Sequence, residues 1–185
     1  WYPENDTTAF TEADLQRYGY RPRGLSDAQY SALKARAQSQ NLYNISTGSI
    51  SSAVSAVVAS GISQPVLYWD NGSNVSLSVN DFPSNTFNRA PDTTCSSRAV
   101  VVVVEHANLT FQGGNSSWFN GSFFVPDGSW TGNGGYNIVG TMWANNVSLG
   151  GNEQWQLDQC YVQNMPGPIL DVRAISFRED DSRDN

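Results

Sequence analysis

Glu105 and His106 stand side by side, and His106 is the one histidine of the chain. Such a pair could act as orienter and general base. Consecutive strand residues point to opposite faces, however, so a direct pairing of these two is poor. Their counterparts in neighbouring copies of the pattern described below are Pro126-Asp127 and Ala144-Asn145, which mark a corner. For acid–base work on a polysaccharide the carboxylates to consider are Asp127 and Asp158, with Glu105 behind them. Strands stacked about 4.8 Å apart would bring such groups near catalytic spacing. No acid–base pair recurs at one position of the pattern, which argues against an enzyme. Zinc is short of ligands. Calcium needs clustered oxygens, and Asp70, Asn71 and Asp127 are the candidates, without any Asp-rich repeat around them. The expectation is no catalytic residue, no metal and no cofactor.

Two other residue sets carry chemistry. Cys95 and Cys160 flank the region of repeated strands, and a disulfide between them is expected. Closing so long a loop would stabilise by about 4 kcal/mol. Eight Asn-x-Ser/Thr triplets also occur, at Asn5, Asn44, Asn71, Asn74, Asn108, Asn115, Asn120 and Asn146. The motif marks surface loops of exported proteins, so all eight are candidates for glycosylation. Asn74, Asn108 and Asn146 occupy one repeat position, where strand alternation alone would place a polar residue. The same alternation turns them to solvent. Trp118, Phe119, Trp130, Trp143 and Trp155 could form an exposed strip that stacks on sugars, or could fill the core instead.

These residues are set by a recurring pattern of apolar strand, polar corner, alternating strand and small-residue turn. It reads VVVEHANLTFQGG from Val102, FVPDGSWTGNGG from Phe124 and MWANNVSLGG from Met142, with an outlier, VLYWDNGSNVSLS, from Val66. Val104 and Val125 lie 21 residues apart, and Val125 and Trp143 lie 18 apart. A period near 20 in β-type sequence predicts a solenoid whose levels bury their inner faces on one another. The run Val100 to Val104 reads as a strand covered on both faces, with an N-terminal helix on the outside. That helix starts at Ser26, which forms a capping box with Gln29, and runs to about Gln40 with Leu33 and Ala37 on its apolar face. A shorter helix is expected over 11–18. Ile50, Ala53, Val54, Val57 and Val58 follow helical spacing, with Gly61 as a stop. Strands are expected at Val66 to Trp69 and Asn74 to Val79. Asn80 to Ser97 is a long excursion, Glu153 to Gln163 a further strand or turn, and Ile169 to Phe177 a final strand.

Composition narrows the function. The net charge is −7, and Lys34 is the sole lysine. Without a basic stripe, nucleic acid and anionic membranes are unfavoured partners. No run of 18 apolar residues is present, so no membrane span is expected in this chain. No signal peptide is visible ahead of Trp1, so the sequence reads as a mature or excised product. The closing acidic stretch, 179–185, reads as a solvated tail.

The order of parts resembles the C-terminal β-solenoid domains of PilX-like type IV pilus accessory proteins and related surface proteins. The match rests on Val102 to Glu105, Leu109, Gly113, Gly114, Phe119 to Val125, Gly128, Gly140 and Val147 to Gly151, within roughly Ser26 to Phe177. The resemblance implies a cell-surface solenoid with a structural or adhesive role. It departs from the family at the front, where no long apolar pilin-type helix is present. The expected architecture is mainly β: a short β-solenoid, like a right-handed parallel β-helix, over 49–178. A small α-helical cap and extension occupy 1–48, and the acidic tail 179–185. The expected function is a secreted, N-glycosylated structural subunit of a surface appendage or filament, or an adhesive module, able to self-associate. The alternatives are a glycan-binding module and a polysaccharide-active β-helix enzyme. Solenoid ends expose unpaired strands, so one end is expected to be capped by helix Ser26 to Gln40 and the other to stack on a neighbour.

Overall fold

The computed structural model describes residues 24–62, 64–83, 86–88, 90, 98–114, 117–151 and 154–156. The fold is mainly β, a parallel sheet with two short helices. Helix α1, Asp27–Ser39, begins as the sequence predicts: the Ser26 hydroxyl accepts from the Gln29 amide, and the Gln29 side chain accepts from the Ser26 amide. It buries Tyr30, Leu33 and Ala37. Helix α2, Ile50–Ala59, buries Ile50, Val54 and Val57 and stops before Gly61, whose φ of +91° suits a residue without a Cβ.

Eight strands follow among the described residues: β1 Val66–Trp69, β2 Val75–Ser78, β3 Val100–Val104, β4 Leu109–Gln112, β5 Ser117–Asn133, β6 Tyr136–Val139, β7 Met142–Leu149 and β8 Gln154–Gln156. All their pairings are parallel and fall into three rows. In the first, β1 pairs β3, β3 pairs β5 over 121–124, and β5 pairs the start of β7. In the second, β2 pairs β4, β4 pairs β5 over 130–133, and β5 pairs the end of β7. In the third, the start of β5 pairs β6, and β6 pairs β8. Val102 stands beside Phe123 and Phe123 beside Met142; Leu109 stands beside Trp130 and Trp130 beside Val147. Corresponding residues therefore lie at one height in successive levels. The expected strand at Glu153 to Gln163 is present as β8. The helix over 11–18, the final strand at 169–177 and the acidic tail lie outside the described residues.

The valine run behaves as its sequence implies. Val100, Val102 and Val104 face the main core with Leu67, Trp69, Phe123 and Val125. Val101 and Val103 face the other way, onto Tyr30, Leu33 and Ala37 of α1. The main core is an aromatic stack. Phe111 lies 4.8 Å from Phe119 and 5.0 Å from Phe123, centroid to centroid, and Trp130 lies 5.6 Å from Trp155. Edge-to-face packing of this kind adds about 0.5–1.5 kcal/mol per pair to burial itself.

The helix expected as an end cap lies elsewhere. Helix α1 covers the outer face of the first row, because its apolar stripe matches Tyr68, Val103 and Phe124 rather than the end of the core. The end is closed by the segment after it. The Gln40 side chain accepts from the Val66 amide (2.8 Å), Leu42 O from the Tyr68 amide (3.2 Å) and the Asn44 side chain from the Asp70 amide (3.0 Å). The Asn44 amide in turn donates to Tyr68 O (2.8 Å). The free edge of β1 is thus occupied at every second residue, and α2 fills the core behind it with Ile50, Val54 and Val57.

Removing one ring from the stack should be costly. Phe111→Ala should lower stability by about 3–5 kcal/mol in urea unfolding. Ser76→Ala, on the exposed side of β2, should change it by less than about 0.5 kcal/mol.

Candidate functional site

The residues singled out for chemistry gather where the first row turns into the second. Four corners stack there: Asp70 to Asn74, Glu105 to Asn108, Pro126 to Ser129, and Asn145 with Asn146. Local turn chemistry makes each bend. The Asn71 side chain accepts from the Ser73 amide (3.0 Å), and Gly72 takes φ +73°. His106 also takes a positive φ, +60°. At Gly128 the backbone passes so near the level below that a Cβ would collide with the Ala107 carbonyl oxygen.

Contacts at these corners run from one level to the next. The Tyr68 hydroxyl donates to Glu105 (2.5 Å). His106 Nδ1 lies 3.2 Å from Asp127 Oδ2. The Asn74 side chain accepts from the Asn108 amide (3.0 Å), and the Asn108 side chain accepts from the Ser129 amide (2.9 Å). Glu105 and His106 do diverge, at a corner just past the end of β3 where His106 takes a positive φ, and each engages a different level.

Asp70 is the most heavily engaged of the set. Its carboxylate accepts from Lys34 Nζ (2.5 Å), the Tyr43 hydroxyl (2.7 and 2.9 Å) and Asn44 Nδ2 (2.9 Å). Burial alone would raise its pKa, but the hydrogen bonds from Lys34, Tyr43 and Asn44 outweigh that and hold it at about 2. Lys34 is shifted upward, chiefly by the same hydrogen bond. Tyr68 is pushed up by burial first and by its bond to Glu105 second. Lys34 and Asp70 thus form an ion pair at neutral pH.

The Asp70 oxygens are committed to the protein's own donors, and Asp127 to His106. Among the described residues no three His, Cys, Asp or Glu side chains cluster as a metal site would require. A cleft of about 270 Å³ between the end of α1 and α2 is lined by Gln40, Asn41, Ala53 and Val57 among others, without a charged side chain. Among the described residues no helix is long and apolar enough to cross a membrane.

The predicted modification sites divide. Asn71, Asn74, Asn108 and Asn146 are exposed at the stacked corners. Asn120 is a correction: it is 5 % exposed, and its Nδ2 donates to Phe87 O (3.0 Å), so it has no room for a glycan. Asn44 is half-buried, and both ends of its side-chain amide are used at the β1 edge. Asn5 and Asn115 lie outside the described residues, as do Asp158 and both members of the expected Cys95–Cys160 disulfide. The aromatic strip does not form. Phe119 and Trp130 are fully buried in the core, Trp118 and Trp155 are half-buried, and Trp143 is 37 % exposed.

Sequence reasoning missed Gln40, Tyr43 and Lys34. A signal was present: Gln40, Leu42 and Asn44 alternate with the same period of two as their partners Val66, Tyr68 and Asp70. Comparison with protein-family models, with curated proteins and with solved structures found no match.

The Asp70 cluster sets a pH dependence. A carboxyl depressed in the folded state stabilises fully above its unfolded value of 3.8, and that contribution is lost as pH falls toward about 2. Asp70→Asn should therefore lower stability by about 1–2 kcal/mol at pH 7, allowing for solvent at the half-exposed Lys34. Thermal melts should show the gap between variant and parent closing as pH drops from 4 toward 2.

Proposed function

We propose that this chain is a short β-solenoid of the right-handed parallel β-helix type, serving as an exported structural module of a cell surface. On this reading it belongs with PilX-like accessory domains, carries N-linked glycans and joins a surface assembly or filament without catalysing a reaction. The observation that carries the reading is the use made of the chemically capable side chains. Asp70, Glu105, His106 and Asp127 each link one level of the stack to another or to the helical segment, as do Asn74 and Asn108. Side chains spent in this way maintain shape. The regular step between paired residues, 21 from Leu109 to Trp130 and 17 from Trp130 to Val147, supports the solenoid. Burial of Phe119 and Trp130 favours the structural role over sugar stacking.

Two measurements test this. Light scattering and electron microscopy of concentrated full-length protein should show self-associated particles, and a monomer at every concentration would remove assembly from the reading. Incubation with acidic polysaccharides should release no reducing sugar, and release that Asp127→Asn abolishes would overturn the structural role.

Glycan position is a separate prediction. After secretion from a host that glycosylates Asn-x-Ser/Thr, peptide mapping should find glycans among Asn71, Asn74, Asn108 and Asn146, and none at Asn44 or Asn120. Occupancy at Asn120 would contradict its burial.

A further inference from the structure

Three Asn-Gly steps occur, at Asn71-Gly72, Asn120-Gly121 and Asn133-Gly134. In such a step the glycine nitrogen can attack the asparagine side-chain carbonyl, because no Cβ hinders its approach. The fold treats the three differently. Asn71 lies at the exposed corner between β1 and β2, where Gly72 takes φ +73° and a Cβ on it would meet open space. The Asn71 Oδ1 accepts from the Ser73 amide (3.0 Å). A turn of this kind folds the side-chain carbonyl back over the next peptide, so that Cγ lies beside the Gly72 nitrogen. The same amide sits where an oxyanion would form on Oδ1. Asn120 is held the other way. It is buried, its Nδ2 donates to Phe87 O (3.0 Å), and Gly121 is fixed in the ladder beside Val100. Asn133 is exposed at the end of β5, and no amide donates to its side chain among the described residues.

We propose that Asn71 is a site of spontaneous deamidation, selected by the corner and not by the dipeptide alone. The Gly72 nitrogen gives up its proton to water and bonds to Asn71 Cγ. The oxyanion on Oδ1, held by the Ser73 amide, collapses, and Nδ2 leaves as ammonia. A five-membered succinimide results. Water then opens the ring at either carbonyl, giving aspartate or isoaspartate. One water is taken up and one ammonia released, with no change of oxidation state. The product adds a negative charge next to Asp70 in the chain, and isoaspartate routes the backbone through Cβ at the turn that joins β1 to β2. A glycan on Asn71 would occupy the same nitrogen. The reaction otherwise goes beyond the structural role proposed above and does not depend on it.

Full-length protein from a host that does not glycosylate asparagine tests it. One sample is kept folded and another unfolded in guanidinium chloride, both at the same mildly alkaline pH, and peptide mapping follows the replacement of NH2 by OH at each asparagine. In the folded protein Asn71 should convert at least about tenfold faster than Asn120, whose reaction waits on local opening, and should also outpace Asn133. In guanidinium the three should react at comparable rates. Conversion of Asn133 ahead of Asn71 in the folded protein would overturn the proposal. So would an Asn71 still intact in the folded sample when the unfolded sample has lost it. Persistence of the folded ranking in guanidinium would overturn it as well, since the local sequence would then set the rates without the corner.

Discussion

A parallel ladder has no natural stopping point. Each strand satisfies half of its backbone groups on one neighbour and presents the other half to the next, so the stack is defined by what ends it. In this protein the first edge is ended by six residues, 40–45, which lay backbone and side-chain acceptors alternately along β1. Asp70 fixes that segment in place by accepting from Tyr43 and Asn44 at once, and it draws in α1 through Lys34. The helices owe their positions to this closure. Helix α1 leaves the edge over the outer face, and α2 returns beneath it into the core.

Inside, the levels cohere because like stands on like. The third row stacks Phe119, Ile138 and Trp155, and the second stacks Leu109 on Trp130. Buried aromatic surface supplies the driving force, and the parallel hydrogen bonds supply direction. At the corners, where neither reaches, polar side chains take over: Asn74 and Asn108 each bond the backbone of the following level. His106 and Asp127 meet at the same corners.

Much of this was legible in the sequence. Alternation placed the strands, the Ser26–Gln29 capping box placed α1, and five consecutive valines announced a strand covered on both faces. Those features are local, or nearly so, and periodicity expresses them directly. What was hidden depends on contacts between segments far apart in the chain. Asn120 carries the same triplet as exposed Asn71, yet it is buried because Phe87, 33 residues away, offers its carbonyl. Asn44 looks like a surface acceptor until the β1 edge lies beside it. The His106–Asp127 contact could not be read from neighbours in sequence, since it spans one level of the stack. The aromatic residues offered two readings, and burial chose the core for Phe119 and Trp130.

Helix α1 has a consequence for how the molecule comes apart. Lys34, in its later half, reaches Asp70 beside β1, while Gly24, just before it, lies so close to Trp143 of β7 that a Cβ would meet the ring at 2.5 Å. Thirteen helical residues reach about 20 Å, enough to cross four strands spaced about 4.8 Å apart. In an ordinary stack of repeats each level touches its neighbours alone, and the ends fray independently. A helix held beside β1 at one end and against β7 at the other restricts that freedom. Unfolding near β1 then also loosens the helix's hold near β7, which couples the two edges of the described sheet.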